Sequence, residues 1–83
     1  MRLVYFAQTR QVLGKSTENI DLPAQVTTIR ALVAHLSSLN DLYAKAFSDS
    51  AALRFAKNQN LVDSETAIAD QDELAIFPPF TGG

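Results

Sequence analysis

The stretch TIRALVAHLSSL, residues 28–39, contains the clearest helical signal in the chain. Four apolar residues follow the spacing i, i+3, i+4 and i+7, which places them on one helical face: Ile29, Leu32, Val33 and Leu36. Thr28 precedes them and can accept a hydrogen bond from a free backbone N–H at the helix start. The pattern predicts a helix over residues 29–39 with one face buried against a second layer.

Short stretches with strand character lie on both sides of this helix. They cover residues 2–7, 17–22, 53–57, 61–62 and 73–77. Two shorter helical stretches are predicted at residues 8–13, ended by Gly14, and at residues 40–47. The resulting ββαββ order, with the last strand close to the first, predicts an α+β fold with one mixed sheet and one main helix packed across it. The β-grasp fold has this order.

Size and composition restrict the protein class. The chain has 83 residues, which predicts one small domain, and its net charge is −2. Because Pro78 and Pro79 end the last predicted strand, we expect the domain over residues 1–79 and a tail over residues 80–83. No basic cluster is present, so nucleic acid is not expected as a partner. The apolar stretches are shorter than the roughly 20 residues of a membrane helix, so no membrane partner is expected. No signal-peptide pattern opens the sequence, and we expect a cytoplasmic protein.

The chain has no cysteine and one histidine. Disulfides, thiol catalysis and thiolate metal sites are therefore excluded, and a histidine-based metal site or triad is nearly so. We expect no bound metal and no bound cofactor. A stand-alone enzyme is the least favoured class, because no set of nucleophile, acid and base is visible.

The C-terminal stretch Phe77-Pro78-Pro79-Phe80-Thr81-Gly82-Gly83 is the chemically informative one. Two prolines stiffen the chain after the last strand. Gly82 and Gly83 have no side chains, so the end of the segment is narrow. The three residues from Thr81 to Gly83 reach at most about 10 Å, and a tail of this width and length can enter a narrow channel. Its distinctive group is the carboxylate of Gly83, which adenylation by ATP would make open to a sulfur nucleophile. The product, a thiocarboxylate, is nucleophilic at neutral pH.

With these residues in view, the chain resembles the small subunits of molybdopterin synthase over essentially its whole length. The matching segments are Phe6-Ala7-Gln8, Thr28-Ile29-Arg30-Ala31-Leu32, Asn58-Gln59-Asn60-Leu61-Val62, and Asp72 to Pro79 followed by Thr81-Gly82-Gly83. The resemblance implies a ubiquitin-like β-grasp fold and a sulfur carrier for molybdenum cofactor biosynthesis. It implies two protein partners: a ubiquitin-activating-like adenylyltransferase, which uses ATP, and the large catalytic subunit, with which the carrier forms a heterotetramer. The large subunit builds the dithiolene of molybdopterin from cyclic pyranopterin monophosphate.

Functional residues follow from the same resemblance. Gly83 is expected to form the acyl adenylate and the thiocarboxylate, and Gly82, Thr81 and Phe80 to thread into the partner. The large subunit is expected to contact an apolar patch on the sheet face away from the main helix, formed by Phe6, Leu61 and Phe77. Core packing is the alternative for these three side chains. Arg10 either pairs with the large subunit or is a solvated charge. Phe80 is bulkier than the family pattern predicts, and Gln71 occupies a turn position where the family often has glycine.

Other functions remain open at this point. A related carrier for thiamine or another thiocarboxylate pathway would have the same tail. So would a ubiquitin-like modifier that forms isopeptides with lysines. A binding module with an inert tail would tolerate loss of Gly82 and Gly83.

Overall fold

A computed structural model describes residues 1–78; residues 79–83 lie outside the described part. The strands are β1 Arg2–Tyr5, β2 Thr17–Asn19, β3 Arg54–Lys57, β4 Asn60–Val62 and β5 Glu73–Phe77. The helices are α1 Ala7–Leu13, α2 Ile29–Leu39 and α3 Asp41–Ala46, and a short 3-10 helix spans Ser50–Ala52. Within residues 1–78, no helix combines the length and apolar character needed to cross a bilayer.

The five strands form one mixed sheet in the order β2-β1-β5-β3-β4. The last strand, β5, lies in the middle, parallel to β1 and antiparallel to β3. The two outer pairs, β1–β2 and β3–β4, are antiparallel. Because side chains alternate between the two faces of a strand, Leu74 and Ile76 point to one face, and Ala75 and Phe77 to the other.

The main helix covers one face of the sheet. The four stripe residues of α2 are buried, as predicted, together with Leu3, Tyr5, Leu74 and Ile76 of the two central strands. The Thr28 side chain accepts a hydrogen bond from the Ala31 N–H at 3.2 Å, so the predicted cap is also confirmed. One helix packed across a five-stranded mixed sheet confirms the α+β, ubiquitin-like β-grasp prediction.

The first strand is shorter than predicted. It ends at Tyr5, and Ala7 begins α1 instead of continuing the strand face of Leu3 and Tyr5. Ala7 has φ 51°, in the left-handed region, and this sharp turn of the backbone sends the chain out of the sheet. Strand propensity did not reveal the turn, because alanine is an uncommon residue in that conformation. Gly14 ends α1 with φ 75°, as predicted.

Two further boundaries differ. The second strand spans only Thr17–Asn19, although residues 17–22 were predicted, and Ile20 and Leu22 instead pack partly buried against the core. The predicted ββαββ order has two strands after the helix. The brief strand predicted at residues 61–62 is a full member of the sheet, so three strands follow the helices in the structure. The division into a domain over 1–79 and a tail over 80–83 stays a prediction.

A single carboxylate connects α3 to the sheet. Glu18 of β2 accepts hydrogen bonds from the hydroxyls of Tyr5 at 2.7 Å and Tyr43 at 2.5 Å, and from Lys15 Nζ at 3.0 Å. Burial by itself would raise the pKa of Glu18, but these three donors outweigh it and hold the pKa below its ordinary value. The charged form of Glu18 therefore stabilises the packing of α3 against β1 and β2.

Replacement of Leu32 with alanine tests the buried helix face. Leu32 is fully buried in the middle of α2, so we expect the free energy of unfolding to fall by about 2–5 kcal/mol. Denaturant unfolding would measure the change. The exposed Leu39, at the end of the same helix, is the matched control and should lose much less as alanine. Equal losses at both positions would contradict the packing described.

The lowered pKa of Glu18 predicts an acid-dependent stability. A carboxyl with a lowered folded-state pKa stabilises the fold fully above its unfolded pKa, and this contribution is lost as the pH falls through the folded value. We therefore expect thermal stability to decline as the pH falls below the ordinary value of 4.5. A Glu18→Gln variant should be less stable at neutral pH and should show a smaller decline on acidification. Glu65→Gln, at an exposed ion pair with Arg30, is the control; a parent-like pH profile in Glu18→Gln would contradict the prediction.

Candidate functional site

The sheet face away from α2 carries the predicted interface residues that the structure describes. We call the sheet face opposite α2 the open face. It lies on the side to which Ala75 and Phe77 of β5 point, opposite the buried Leu74 and Ile76. The predicted tail residues Phe80, Thr81, Gly82 and Gly83 lie outside the described residues.

Two aromatic rings mark the end of β5 from which the C-terminal segment leaves. The rings of Phe6 and Phe77 stack with centroids 4.8 Å apart and an interplanar angle of 10°. Phe6 stands between β1 and the left-handed Ala7, so the turn at the start of α1 places its ring beside β5. Phe6 is 39% exposed and Phe77 is half-buried, so core packing does not account for the pair.

Leu61 lies on the same face but at the outer strand. It pairs with Ala56 of β3, which in turn pairs with Ala75 of β5, and Ala75 pairs with Val4 of β1. Leu61 is 82% exposed. The strand register therefore places an apolar row across four strands, with Leu61 at its outer end. Phe77 lies two residues beyond Ala75, so the row and the aromatic pair share β5.

The sequence analysis named Phe6, Leu61 and Phe77 but missed the residues that connect them. Val4, Ala75 and Ala56 complete the row only because the register aligns them. Alternation along β5 was available in the sequence and could have indicated Ala75. The pairing of β5 with both β1 and β3 was not, because it joins residues about 20 to 70 positions apart in the chain.

Charged groups border this apolar surface. Arg10 is exposed on α1, which follows Phe6, and Arg54 of β3 pairs in register with Phe77. At the opposite end of β5, Arg2 Nε lies 3.4 Å from a carboxylate oxygen of Glu73, and both side chains are largely solvated. An apolar centre with charged residues at its border is typical of surfaces that bind other proteins.

The acidic turn before β5 has a structural role. Asp70 accepts a hydrogen bond from the Leu22 N–H at 2.8 Å, and Asp72 accepts from the Asn58 side chain at 3.0 Å and the Ala69 N–H at 2.8 Å. These bonds hold the pKa of both carboxyls below their ordinary range. Over residues 1–78, no three His, Asp or Glu side chains are grouped so as to hold a metal ion.

Comparison with known proteins agrees with this geometry. The model of the ThiS family matches residues 3–83. The molybdopterin synthase sulfur carrier subunit of Escherichia coli is 37% identical over 83 residues, which cover 100% of this chain and 99% of that protein. Small archaeal modifier protein 1 of Haloferax volcanii is 32% identical, covering 94% of each chain.

Solved structures confirm the fold. The crystal structure of the same Haloferax protein, which covers 100% of this chain and 98% of its own, has a TM-score of 0.73 at 24% identity. A chain from the complex of subunits 1 and 2 of the molybdopterin-converting factor of Helicobacter pylori has a TM-score of 0.61 at 19% identity, covering 99% and 96%. The chain therefore belongs to the ThiS family, and its resemblance to the sulfur carrier subunits of molybdopterin synthase is confirmed.

Proposed function

We propose that this chain is the sulfur-carrier subunit of a molybdopterin synthase and that it works through the carboxylate of Gly83. The observation that carries the proposal is the match to the sulfur carrier subunit of Escherichia coli, which covers the whole of this chain and 99% of the relative. The family match likewise runs through the two glycines to residue 83. The family match therefore includes both the folded domain and the segment that ends in Gly82 and Gly83.

The chemistry takes place at the Gly83 carboxylate in two steps. First, a carboxylate oxygen attacks the α-phosphorus of ATP and pyrophosphate leaves, which forms an acyl adenylate. Sulfur at the sulfide level (HS⁻) then attacks the activated carbonyl. A C–S bond forms, the C–O bond to AMP breaks, and loss of the remaining S–H proton leaves the thiocarboxylate. Both steps belong to a separate adenylyltransferase and its sulfur donor, so the carrier needs no catalytic side chain of its own. We place the pathway in the cytoplasm, where ATP is available.

The large subunit then uses the sulfur. In the proposed reaction, the thiocarboxylate sulfur of Gly83 attacks cyclic pyranopterin monophosphate and forms a carbon–sulfur bond. Water then cleaves the acyl–sulfur bond, which leaves the sulfur on the substrate and returns Gly83 to a carboxylate. Two carriers supply the two sulfurs of the dithiolene in this way. The carrier is accordingly not an enzyme alone but part of a heterotetramer with two large subunits. The Helicobacter pylori structure, a complex of subunits 1 and 2 of that converting factor, supports a partner of this kind.

The open face is the docking surface in this proposal. Phe6 and Phe77 expose apolar area at the end of β5, next to the origin of the C-terminal segment. A partner that covers these rings also receives the segment that follows Pro78. Because the two rings already stack in the free carrier, little side-chain freedom is lost on binding. In this proposal Arg10, which is exposed on the adjacent α1, pairs with an acidic group of the large subunit.

A second function is favoured by one observation. The Haloferax relative is named a protein modifier, and the same activated glycine that accepts sulfur can acylate a lysine. The family name also leaves a thiamine carrier open. These alternatives share the tail and the activation step, so they differ only in the final acceptor. Lysine-linked conjugates in cell extracts would favour the modifier, and rescue of a thiamine-requiring strain would favour the thiamine carrier.

Intact mass measures the central step. When the protein is incubated with ATP, the activating enzyme and a sulfur donor, we expect one oxygen to be replaced by sulfur at the C-terminus. Deletion of Gly83 should abolish this change, and so should one added residue, because it displaces the reactive carbonyl by about 3.5 Å. The thermal midpoint should stay at the parent value in both variants. Full molybdopterin synthesis by a carrier without Gly83 would rule the mechanism out.

Replacement of Phe77 with aspartate tests the docking surface. The charge would enter the apolar contact with Phe6, so we expect the affinity for the large subunit to fall by at least about tenfold, as at a central interface residue. Isothermal titration calorimetry would measure the affinity, and circular dichroism would check the fold. Leu42→Asp is the matched control, because Leu42 is 53% exposed on α3, in the helical layer. Equal loss of affinity in both variants would count against the open face.

A further inference from the structure

The turn at Ala7 has an unusual conformation for its residue type. Ala7 has φ 51°, in the left-handed region, where the Cβ atom crowds a backbone carbonyl oxygen. The other end of α1 has a residue in the same region, Gly14 with φ 75°, but glycine has no Cβ atom and adopts this conformation without a clash. Helix α1 therefore begins at a strained residue and ends at an unstrained one.

Local interactions do not account for the strain. Among the described residues, no side chain caps the start of α1, and the first turn of this helix has no acidic residue. The Phe6 carbonyl accepts a hydrogen bond from the Arg10 N–H at 3.3 Å, which is long for a helical bond. The Ala7 side chain is exposed, so its methyl group gains little from burial. Packing of the residues on either side must therefore hold the turn.

Buried residues fix the chain on both sides of the turn. Tyr5 of β1 and Thr9 of α1 are both buried. Phe6 has an extended backbone, with φ −128° and ψ 155°, so its ring points to the sheet face opposite Tyr5, where it stacks on Phe77. With both ends held, an ordinary right-handed conformation at Ala7 would redirect the chain between them, and the Phe6 ring would leave Phe77.

The aromatic stack is the contact closest to the turn. A stacked pair contributes more than the area that it buries, and this contribution is comparable in size with the steric cost of a left-handed alanine. The stack favours the turn, whereas the conformational preference of Ala7 opposes it. Because the two effects have opposite signs and similar sizes, a change of residue at the turn shifts the population of the stacked form.

We propose that Ala7 is a positioning residue of the open face. Its left-handed turn and the stack of Phe6 on Phe77 form together, and the backbone preference at residue 7 sets the fraction of molecules in which the rings are stacked. A partner that binds the stacked form has an apparent affinity reduced by that fraction. This consequence for binding rests on the proposed function, whereas the coupling of the turn to the stack does not.

Glycine substitution tests the strain and its coupling to the ring. Ala7→Gly removes the crowded Cβ atom, so the thermal midpoint should stay at the parent value or rise. Ala44→Gly is the matched control, because Ala44 is exposed within the helix α3 and glycine there should lower the midpoint. In a Phe6→Leu background, Ala7→Gly should lower the midpoint as well, because the turn is then free to relax. An unchanged benefit of glycine without the Phe6 ring would overturn the coupling.

NMR spectroscopy of the free chain measures the position of the Phe6 ring. Phe6→Leu removes the stack and gives the reference resonances of the Phe77 ring protons without it. Asparagine and valine are similar in size and both fit at the exposed Ala7, but asparagine tolerates the left-handed region and β-branched valine does not. Ala7→Val should move the Phe77 ring protons towards their Phe6→Leu positions, and Ala7→Asn should leave them near the parent positions. Parent-like Phe77 resonances in Ala7→Val would contradict the proposal.

Isothermal titration calorimetry with the large subunit tests the consequence for binding. Ala7→Val should weaken binding by about three- to tenfold, whereas Ala7→Asn should keep the parent affinity. When it is combined with Phe6→Leu, Ala7→Val should add less than about a twofold loss, because the ring that it positions is absent. Ala44→Val, at the exposed residue of α3, is the matched control and should bind as the parent does.

The double variant separates positioning from a general effect on the fold. Equal losses from Ala7→Val with and without the Phe6 ring would overturn the positioning role, because residue 7 would then act on binding by another route. Parent-like affinity in Ala7→Val would overturn it too. No measurable binding by the parent chain would instead contradict the proposed function, and the Phe77 resonances would still decide the coupling.

Discussion

The parallel pairing of β5 with β1 is the constraint on which the rest of the structure depends. It places the last strand of the chain between β1 and β3, in the middle of the sheet, where both of its edges are hydrogen-bonded. A terminal strand at a sheet edge could fray, but a central one can leave only if the sheet opens. The segment after Pro78 therefore follows a strand that is paired on both sides, and the origin of that segment is fixed relative to the open face.

The same pairing divides the apolar side chains of β5 between two uses. Leu74 and Ile76 are fully buried under α2 and supply the centre of the core. Ala75 and Phe77 point to the open face, where Phe77 meets Phe6. Apolar area left in water lowers the stability of the domain, and in the proposed function the large subunit recovers that loss when it covers the face. Folding and recognition are thus separated by the alternation of side chains along one strand.

This division fits the function proposed for the domain. The chemistry is proposed at the end of the chain, and the domain contributes the origin of that segment and a recognition surface. Glu18 holds α3 against the sheet, because it accepts hydrogen bonds from Tyr43 of α3 and from Tyr5 of β1.

Much of this architecture could be predicted from the sequence alone. The helix Ile29–Leu39 and the strand Glu73–Phe77 were predicted at their observed bounds, because a 3.6-residue period and a two-residue alternation are local properties of the chain. The β-grasp class and the family followed from the order of elements and the closing run of residues. Gly83, Gly82, Thr81 and Phe80 were singled out by composition and resemblance, and their roles remain proposals.

Tertiary structure decided what depends on distant residues. The strand order, the row from Val4 to Leu61 and the stack of Phe6 on Phe77 arise from pairings between segments far apart in sequence. The early end of β1 depends on the left-handed Ala7, which no local preference of alanine indicates. The Glu18 network likewise exists only once α3 and the sheet are assembled. Local periodicity specifies which elements form, whereas side-chain neighbours across the fold are set by how those elements pack.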